Sequence, residues 1–169
     1  MSGETYALCG QKFLKDDNMI DFLGEVDELN CHLGLIKAVI SGERAYAASS
    51  EEINAAGQFI EGIQIKLMKL MSHASDTARS DYFFSEGEVT DLEDEISRMK
   101  KKAAKLAEFV LPGKNSLEAQ IHIARAVARR AERCFFSVSE ASRGPLCKNA
   151  GAYLNRLSGY LFILSCQEF

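Results

Sequence analysis

Apolar residues recur at helical spacing in five stretches of the chain. Phe22, Val26, Leu29, Leu33, Ile36 and Ile40 repeat every three or four positions, which predicts a helix over residues 17–41, stopped by Ser41-Gly42. Ile53, Ala56, Ile60, Ile63, Leu67 and Leu70 predict a second helix to about residue 79, opened by a capping-box pattern from Ser49 to Glu52. Thr90 and Glu93 repeat that pattern ahead of Leu92, Ile96 and Met99, predicting a third helix over residues 90–106. Pro112-Gly113 forbids a helix running straight through, and Asn115 followed by Glu118 restarts one. Leu117, Ile121, Ala124, Ala128, Ala131, Phe135 and Val138 form the stripe of this fourth helix. A fifth runs from about residue 147 to 166, with Leu154, Leu157, Leu161 and Leu164 inward and Asn155 and Ser158 on a neighbouring polar face.

Between them, residues 42–50, 80–89, 108–114 and 142–146 read as connections, the second carrying exposed-looking aromatics. Four of the five helices are long enough to span a bundle. The predicted fold is therefore all-α, a five-helix up-and-down bundle in a single domain over residues 1–169. Residues 1–16 lack helical periodicity and hold Gly3 and Gly10, with Thr5, Lys12 and Lys15. They read as an N-terminal loop ahead of a bundle over 17–169. That loop is either a frayed terminus or a backbone-lined phosphate cradle.

Composition narrows the function classes. With 47% hydrophobic and 26% charged residues the chain has an ordinary globular balance. A net charge of −4 argues against a nucleic-acid backbone as the main partner. Five cysteines, none in a CxxC spacing and with no signal peptide ahead of them, read as reduced thiols in the cytoplasm. No apolar run reaches the ~20 residues that a membrane span needs.

The chemistry-bearing residues concentrate in the fourth helix. Arg125, Arg129 and Glu132 stand at i, i+4 and i+7, so at about 100° per residue they form one polar ridge beside the apolar stripe. On pattern alone the ridge reads first as a solvated face with intrahelical Arg–Glu pairs. The competing reading is a polyphosphate fork, because Arg125, Arg129, Arg130 and Arg133 are all arginine, the side chain suited to bidentate phosphate binding. A protein-ligated metal centre is not expected. His32 follows Glu28 and His122 follows Glu118 at i+4, whereas a di-metal carboxylate bundle uses Glu-x-x-His at i+3, and no HExxH is present. No GxSxG or Cys/His arrangement supports a protein nucleophile.

Four blocks, in order, resemble the ATP:cob(I)alamin adenosyltransferases of the propanediol-utilisation type. FVLPGKNSLEAQIHIARAVARRAER, followed by YLNRLSGYLF, resembles the core of the site. GEVDELNCHLGL at 24–35 resembles the first-helix signature, and GETYALCGQKFLKDD at 3–17 the end of the nucleotide loop. The resemblance implies a ferritin-like five-helix bundle that assembles as a homotrimer with active sites between subunits. It implies transfer of the 5′-deoxyadenosyl group of ATP to the cobalt of a reduced corrinoid, with release of triphosphate. Cobalt(I) is then the nucleophile, which agrees with an arginine ridge and no acid–base dyad.

By position, the resemblance implies that Arg129 and Glu132 bind ATP, supported by Arg130 or Arg133, and that Asn155 touches the nucleotide. Arg125 would pair with Asp27 of a neighbouring subunit, and Phe109 would crowd the lower face of the corrin. Gly3, Thr5 and Lys12, with Lys15 beside them, would belong to the phosphate loop. Mg²⁺ would be held mostly by the phosphates, and a corrinoid reductase and a cobalamin-dependent acceptor enzyme would be partners. The sequence departs from the pattern in three places. The family's Thr-rich stretch and Gly-Asp pair do not precede Gly3, Lys114 replaces a common second glycine, and Gly159 stands where an aspartate is usual. The first and last departures leave open a non-catalytic relative that binds corrinoid or nucleotide as a carrier or sensor.

Overall fold

The computed structural model describes residues 3–7, 10–43, 51–75, 84–102, 110–138 and 149–167. Among them are five helices: α1 (Asn18–Glu43), α2 (Glu51–Ser75), α3 (Glu86–Lys102), α4 (Ser116–Ser137) and α5 (Ala150–Ser165). Each predicted stripe turns inward. The six α1 stripe residues, Phe22, Val26, Leu29, Leu33, Ile36 and Ile40, are buried, as are Ile60, Ile63, Leu67 and Leu70 of α2 and Leu92, Ile96 and Met99 of α3. All seven stripe positions of α4 and the four leucines of α5 join the same core.

Cross-helix contacts fix the directions. Asn18 bonds the Ser137 carbonyl, whereas Gln120 reaches His32, so α1 and α4 are antiparallel. Gln64 donates to the Asn30 carbonyl and Lys37 pairs with Glu61, which sets α2 antiparallel to α1. Glu132 meets Asn155 near the start of α5, while Leu117 and Leu164 line one cleft, making α4 and α5 antiparallel. Asn149 bonds Phe84, and Arg156 pairs with Glu93, so α3 runs parallel to α5. The Phe59–Tyr160 ring contact at 5.2 Å brings α2 against α5. Direction thus alternates from each helix to the next, the up-and-down arrangement the sequence predicts.

Three details differ from the sequence reading. Residues 1–16 are not a plain loop: β1 (Glu4–Tyr6) and β2 (Lys12–Leu14) pair antiparallel, with Thr5 opposite Phe13. Gly10 at φ 81 turns the hairpin, a left-handed conformation that suits glycine. Strands of three residues are too short to show an alternation, and their pairing is a contact across the turn. The third helix starts earlier than Thr90. Ser85 and Glu88 make the reciprocal capping bonds, Ser85 N donating to Glu88 Oε2 at 2.9 Å and Glu88 N to Ser85 Oγ at 3.4 Å. Thr90 lies inside the helix, and its hydroxyl donates to the Glu86 carbonyl. Phe84, read as a surface aromatic, is buried and packs on Tyr153 at 4.7 Å. The predicted cap at Ser49, the turn at 142–146 and the ends of the second, third and fifth helices at 76–79, 103–106 and 147–148 lie outside the described residues.

Candidate functional site on the fourth helix

The cap of α4 is built from its own sequence. Asn115, in an extended conformation, accepts from the Glu118 amide at 2.8 Å. Glu118 does not reach back to the Asn115 amide as a capping box would. Its Oε2 accepts instead from the amides of Gly113 (2.7 Å) and Lys114 (3.1 Å), folding the 110–114 turn down onto the helix. Gly113 sits at φ 118, a conformation that side chains rarely adopt. A cleft of about 290 Å³ opens beside this turn, between the first turn of α4 and the last of α5, with Lys114 and Glu118 on one wall and Ser165 and Gln167 on the other.

Along α4 the ridge divides into separate roles. Arg125 is half-buried, and its Nε donates to His122 Nδ1 at 3.3 Å. Arg129 is exposed and carries no ion pair among the described residues. Glu132 accepts from Asn155 Nδ2 at 2.8 Å, so a single hydrogen bond ties the ridge to α5. The three residues assigned to the nucleotide side therefore share one surface across α4 and α5. The hairpin enters α1 at the same end of the bundle, where Asn18 touches Ser137. Gly3, Thr5 and Lys12 all lie on that hairpin, but Lys12 is already paired with Glu4 at 2.7 Å. Asp27 is exposed on α1, and no ion pair joins it to Arg125 within one copy of the chain. Phe109 lies outside the described residues.

Arg130 does not support a phosphate fork. Its guanidinium bridges Glu25 and Glu28 of α1, and these bonds, Glu25 first, raise its pKa further. It ties α4 to α1 on a face about 100° round the helix from Arg129, apart from the ridge of Arg125, Arg129 and Glu132. Arg133 turns back onto the Arg129 carbonyl at 3.1 Å. Sequence reasoning missed this clamp, although Glu25 and Glu28, three apart on a predicted helix, offered a signal. It also took Glu118 as a cap and set His122 aside as a metal ligand. Both are about 5% exposed, and Glu118 Oε1 lies 3.0 Å from His122 Nε2. No group of three or more His, Cys, Asp or Glu able to hold a metal occurs among the described residues. No described helix is long and apolar enough to cross a membrane.

The comparisons with known proteins decide the family. The family model described as cobalamin adenosyltransferase matches residues 2–168. The chain belongs to the cobalamin adenosyltransferase family. It is 33% identical over 161 residues to a corrinoid adenosyltransferase of Bacillus subtilis, covering 95% of this chain and 78% of that one. It is 32% identical over 166 residues to a corrinoid adenosyltransferase of Citrobacter freundii, covering 97% and 88%. Among solved structures it superposes with a TM-score of 0.77 and 27% identity on a variant PduO-type ATP:corrinoid adenosyltransferase from Lactobacillus reuteri complexed with cobalamin and ATP, covering 97% of this chain and 87% of that one. The helical bundle and the order of the four sequence blocks agree with that membership.

Proposed function

We propose that this protein transfers the 5′-deoxyadenosyl group of ATP to the cobalt of a reduced corrinoid. The cobalt(I) electron pair forms the bond to C5′, the C5′–O bond breaks, and triphosphate leaves with its electrons. The carrying observation is the Arg129–Glu132–Asn155 surface: an exposed guanidinium beside a carboxylate held in place by an amide from the next helix. A guanidinium there can bind the triphosphate in two-point fashion and offset the charge gathering on the leaving group. Glu132 and Asn155 orient the nucleotide, and fixed orientation is what an in-line displacement requires of a protein. Gly3, Thr5 and Lys12 close the phosphate side, which requires Lys12 to exchange Glu4 for phosphate. Mg²⁺ is carried by the phosphates themselves.

The remainder of the site comes from assembly. Three copies form a homotrimer in which Arg125 of one subunit pairs with Asp27 of the next, placing each active site between subunits. Support for this reading is that Asp27 is exposed and unpaired with Arg125 inside one copy. Phe109, carried just ahead of the 110–114 turn, crowds the lower corrin face. The reaction belongs to the cytoplasm, with a corrinoid reductase supplying cobalt(I) and a cobalamin-dependent enzyme accepting the product. The catalytic reading is favoured over a carrier or sensor because relatives matched along nearly the whole chain are named for the transfer itself.

An anaerobic assay tests the function. ATP and chemically reduced cobalamin are mixed with the protein, and loss of the cobalt(I) absorbance is followed together with triphosphate release. Equal amounts of adenosylated corrinoid and triphosphate are expected. Persistence of cobalt(I) in the presence of folded, ATP-bound protein refutes the proposal.

A further inference from the structure

Glu118, His122 and Arg125 stand on one face of α4 at i, i+4 and i+7, and their contacts form an unbroken series. Glu118 Oε2 holds the amides of Gly113 and Lys114. Its other oxygen, Oε1, lies 3.0 Å from His122 Nε2. His122 Nδ1 accepts from Arg125 Nε at 3.3 Å, which places the ring proton on Nε2, facing the carboxylate. The ring N–H and Oε1 are close but not aligned for a hydrogen bond, and neither atom has a hydrogen-bond partner among the described residues. Helix capping explains the bonds from Glu118 to the turn. It does not explain a buried imidazole set between that carboxylate and a half-buried arginine, because burying polar groups is costly and an apolar pair would serve packing as well.

We infer that Glu118 and His122 are positioning residues: a buried carboxylate–imidazole relay that holds the 110–114 turn and the Arg125 guanidinium in a fixed relation. The inference rests on the proposed transferase function for its consequence, since the turn follows directly on Phe109 and Arg125 faces the neighbouring subunit. The relay spans about 10 Å of helix, from Glu118 to Arg125, at 1.5 Å per residue. Through it, the placement of the corrin-side turn and the subunit-side arginine become one variable. Each stays productive only while the other is in place.

The test compares wild type with Glu118→Gln, His122→Leu, His122→Gln and the Glu118→Gln/His122→Leu double variant. Transfer kinetics and amide hydrogen exchange at residues 113 and 114 are measured on the assembled protein. His122→Leu is expected to lower kcat by about tenfold or more while the KM for ATP stays within about twofold, the signature of an interaction that acts beyond ground-state nucleotide binding. It should also speed exchange at Gly113 and Lys114, which His122 does not touch. His122→Gln, which keeps a donor and an acceptor, should recover part of both effects. The double variant should be about as slow as the slower single variant, because the two residues act as a unit. Wild-type kcat in His122→Leu, or exchange at 113 and 114 unchanged by it, overturns the relay. Additive losses in the double variant overturn it as well. A wild-type protein without transferase activity refutes the proposed function, and amide exchange still decides the relay. If Glu118→Gln does not fold, the two His122 variants carry the same test.

Discussion

The adjacent arginines 129 and 130 should behave as opposites. Arg130 bridges Glu25 and Glu28 across the α1–α4 seam, whereas Arg129 is exposed and unengaged by any carboxylate among the described residues. Arg130 is 43% exposed, so water screens its pairs and each contributes only about 0.2–1 kcal/mol. Arg130→Met keeps most of the aliphatic stem and loses the charge, and should cost about 1 kcal/mol, a fall in Tm of about 2–4 °C for a chain of this size. The difference should shrink in ~0.5 M salt, where exposed pairs are screened even in wild type. ATP affinity should stay within about twofold, since no phosphate role is lost. On the proposed function, Arg129→Ala should remove a charge-assisted phosphate contact worth about 1.5–3 kcal/mol, or roughly a 10- to 150-fold loss in ATP affinity, with little change in Tm. Calorimetric titration with ATP and thermal melts of both variants separate the two. Equal losses of ATP affinity at the two positions, or a larger Tm loss at Arg129, refute the division of the ridge.

Two glycines of α5 should respond with opposite signs to alanine. At Gly151 a Cβ would meet the Phe135 ring at 2.9 Å and the Phe136 ring at 3.0 Å, and Phe135 is held by Phe22, so Gly151→Ala should lose about 1–2 kcal/mol in denaturant unfolding. At Gly159 the nearest contact is Ile96 at 3.9 Å, so Gly159→Ala should gain about 0.5–1 kcal/mol from helix propensity alone. Burial, and then the Glu25 carboxylate, raise the pKa of Cys134, so less of it is thiolate at pH 8. Iodoacetamide with mass-spectrometric mapping should therefore find Cys134 slower to react than exposed Cys31, and faster labelling of Cys134 would contradict that cause.

The core was legible because burial and helix share one period. A residue such as Leu29 or Leu157 announces its face by its neighbours three and four positions away, and each predicted stripe position whose burial is described, apart from half-buried Ala56, is buried. Helix starts were less legible where two capping patterns compete within a few residues. Ser85–Glu88 and Thr90–Glu93 both fit, and the burial of Phe84 against Tyr153, a contact with a distant helix, goes with the first. The ridge itself was visible, but which arginine serves which partner was not. Arg129 and Arg130 are adjacent in sequence, and only the packing of α4 on α1 shows that one of them meets Glu25 and Glu28. The hairpin was hidden for the same reason, since Thr5 and Phe13 become neighbours only through the Gly10 turn. His122 was seen as one of a Glu/His pair at i+4 and set aside as a metal ligand. Its bond to Arg125 needed the ring orientation, which spacing does not supply.

The central claim is that the α4 ridge of one subunit and the α1 face of another make one transferase site. Mixed oligomers of Asp27→Asn and Arg129→Ala subunits test it most directly, with transfer measured anaerobically. Each variant alone should be strongly impaired, because every site in it carries a defect. In random mixtures about one quarter of the sites should combine an intact α4 with an intact neighbouring α1, restoring a comparable share of wild-type activity. Activity that stays at the average of the two parents in verified mixed oligomers would contradict the inter-subunit site.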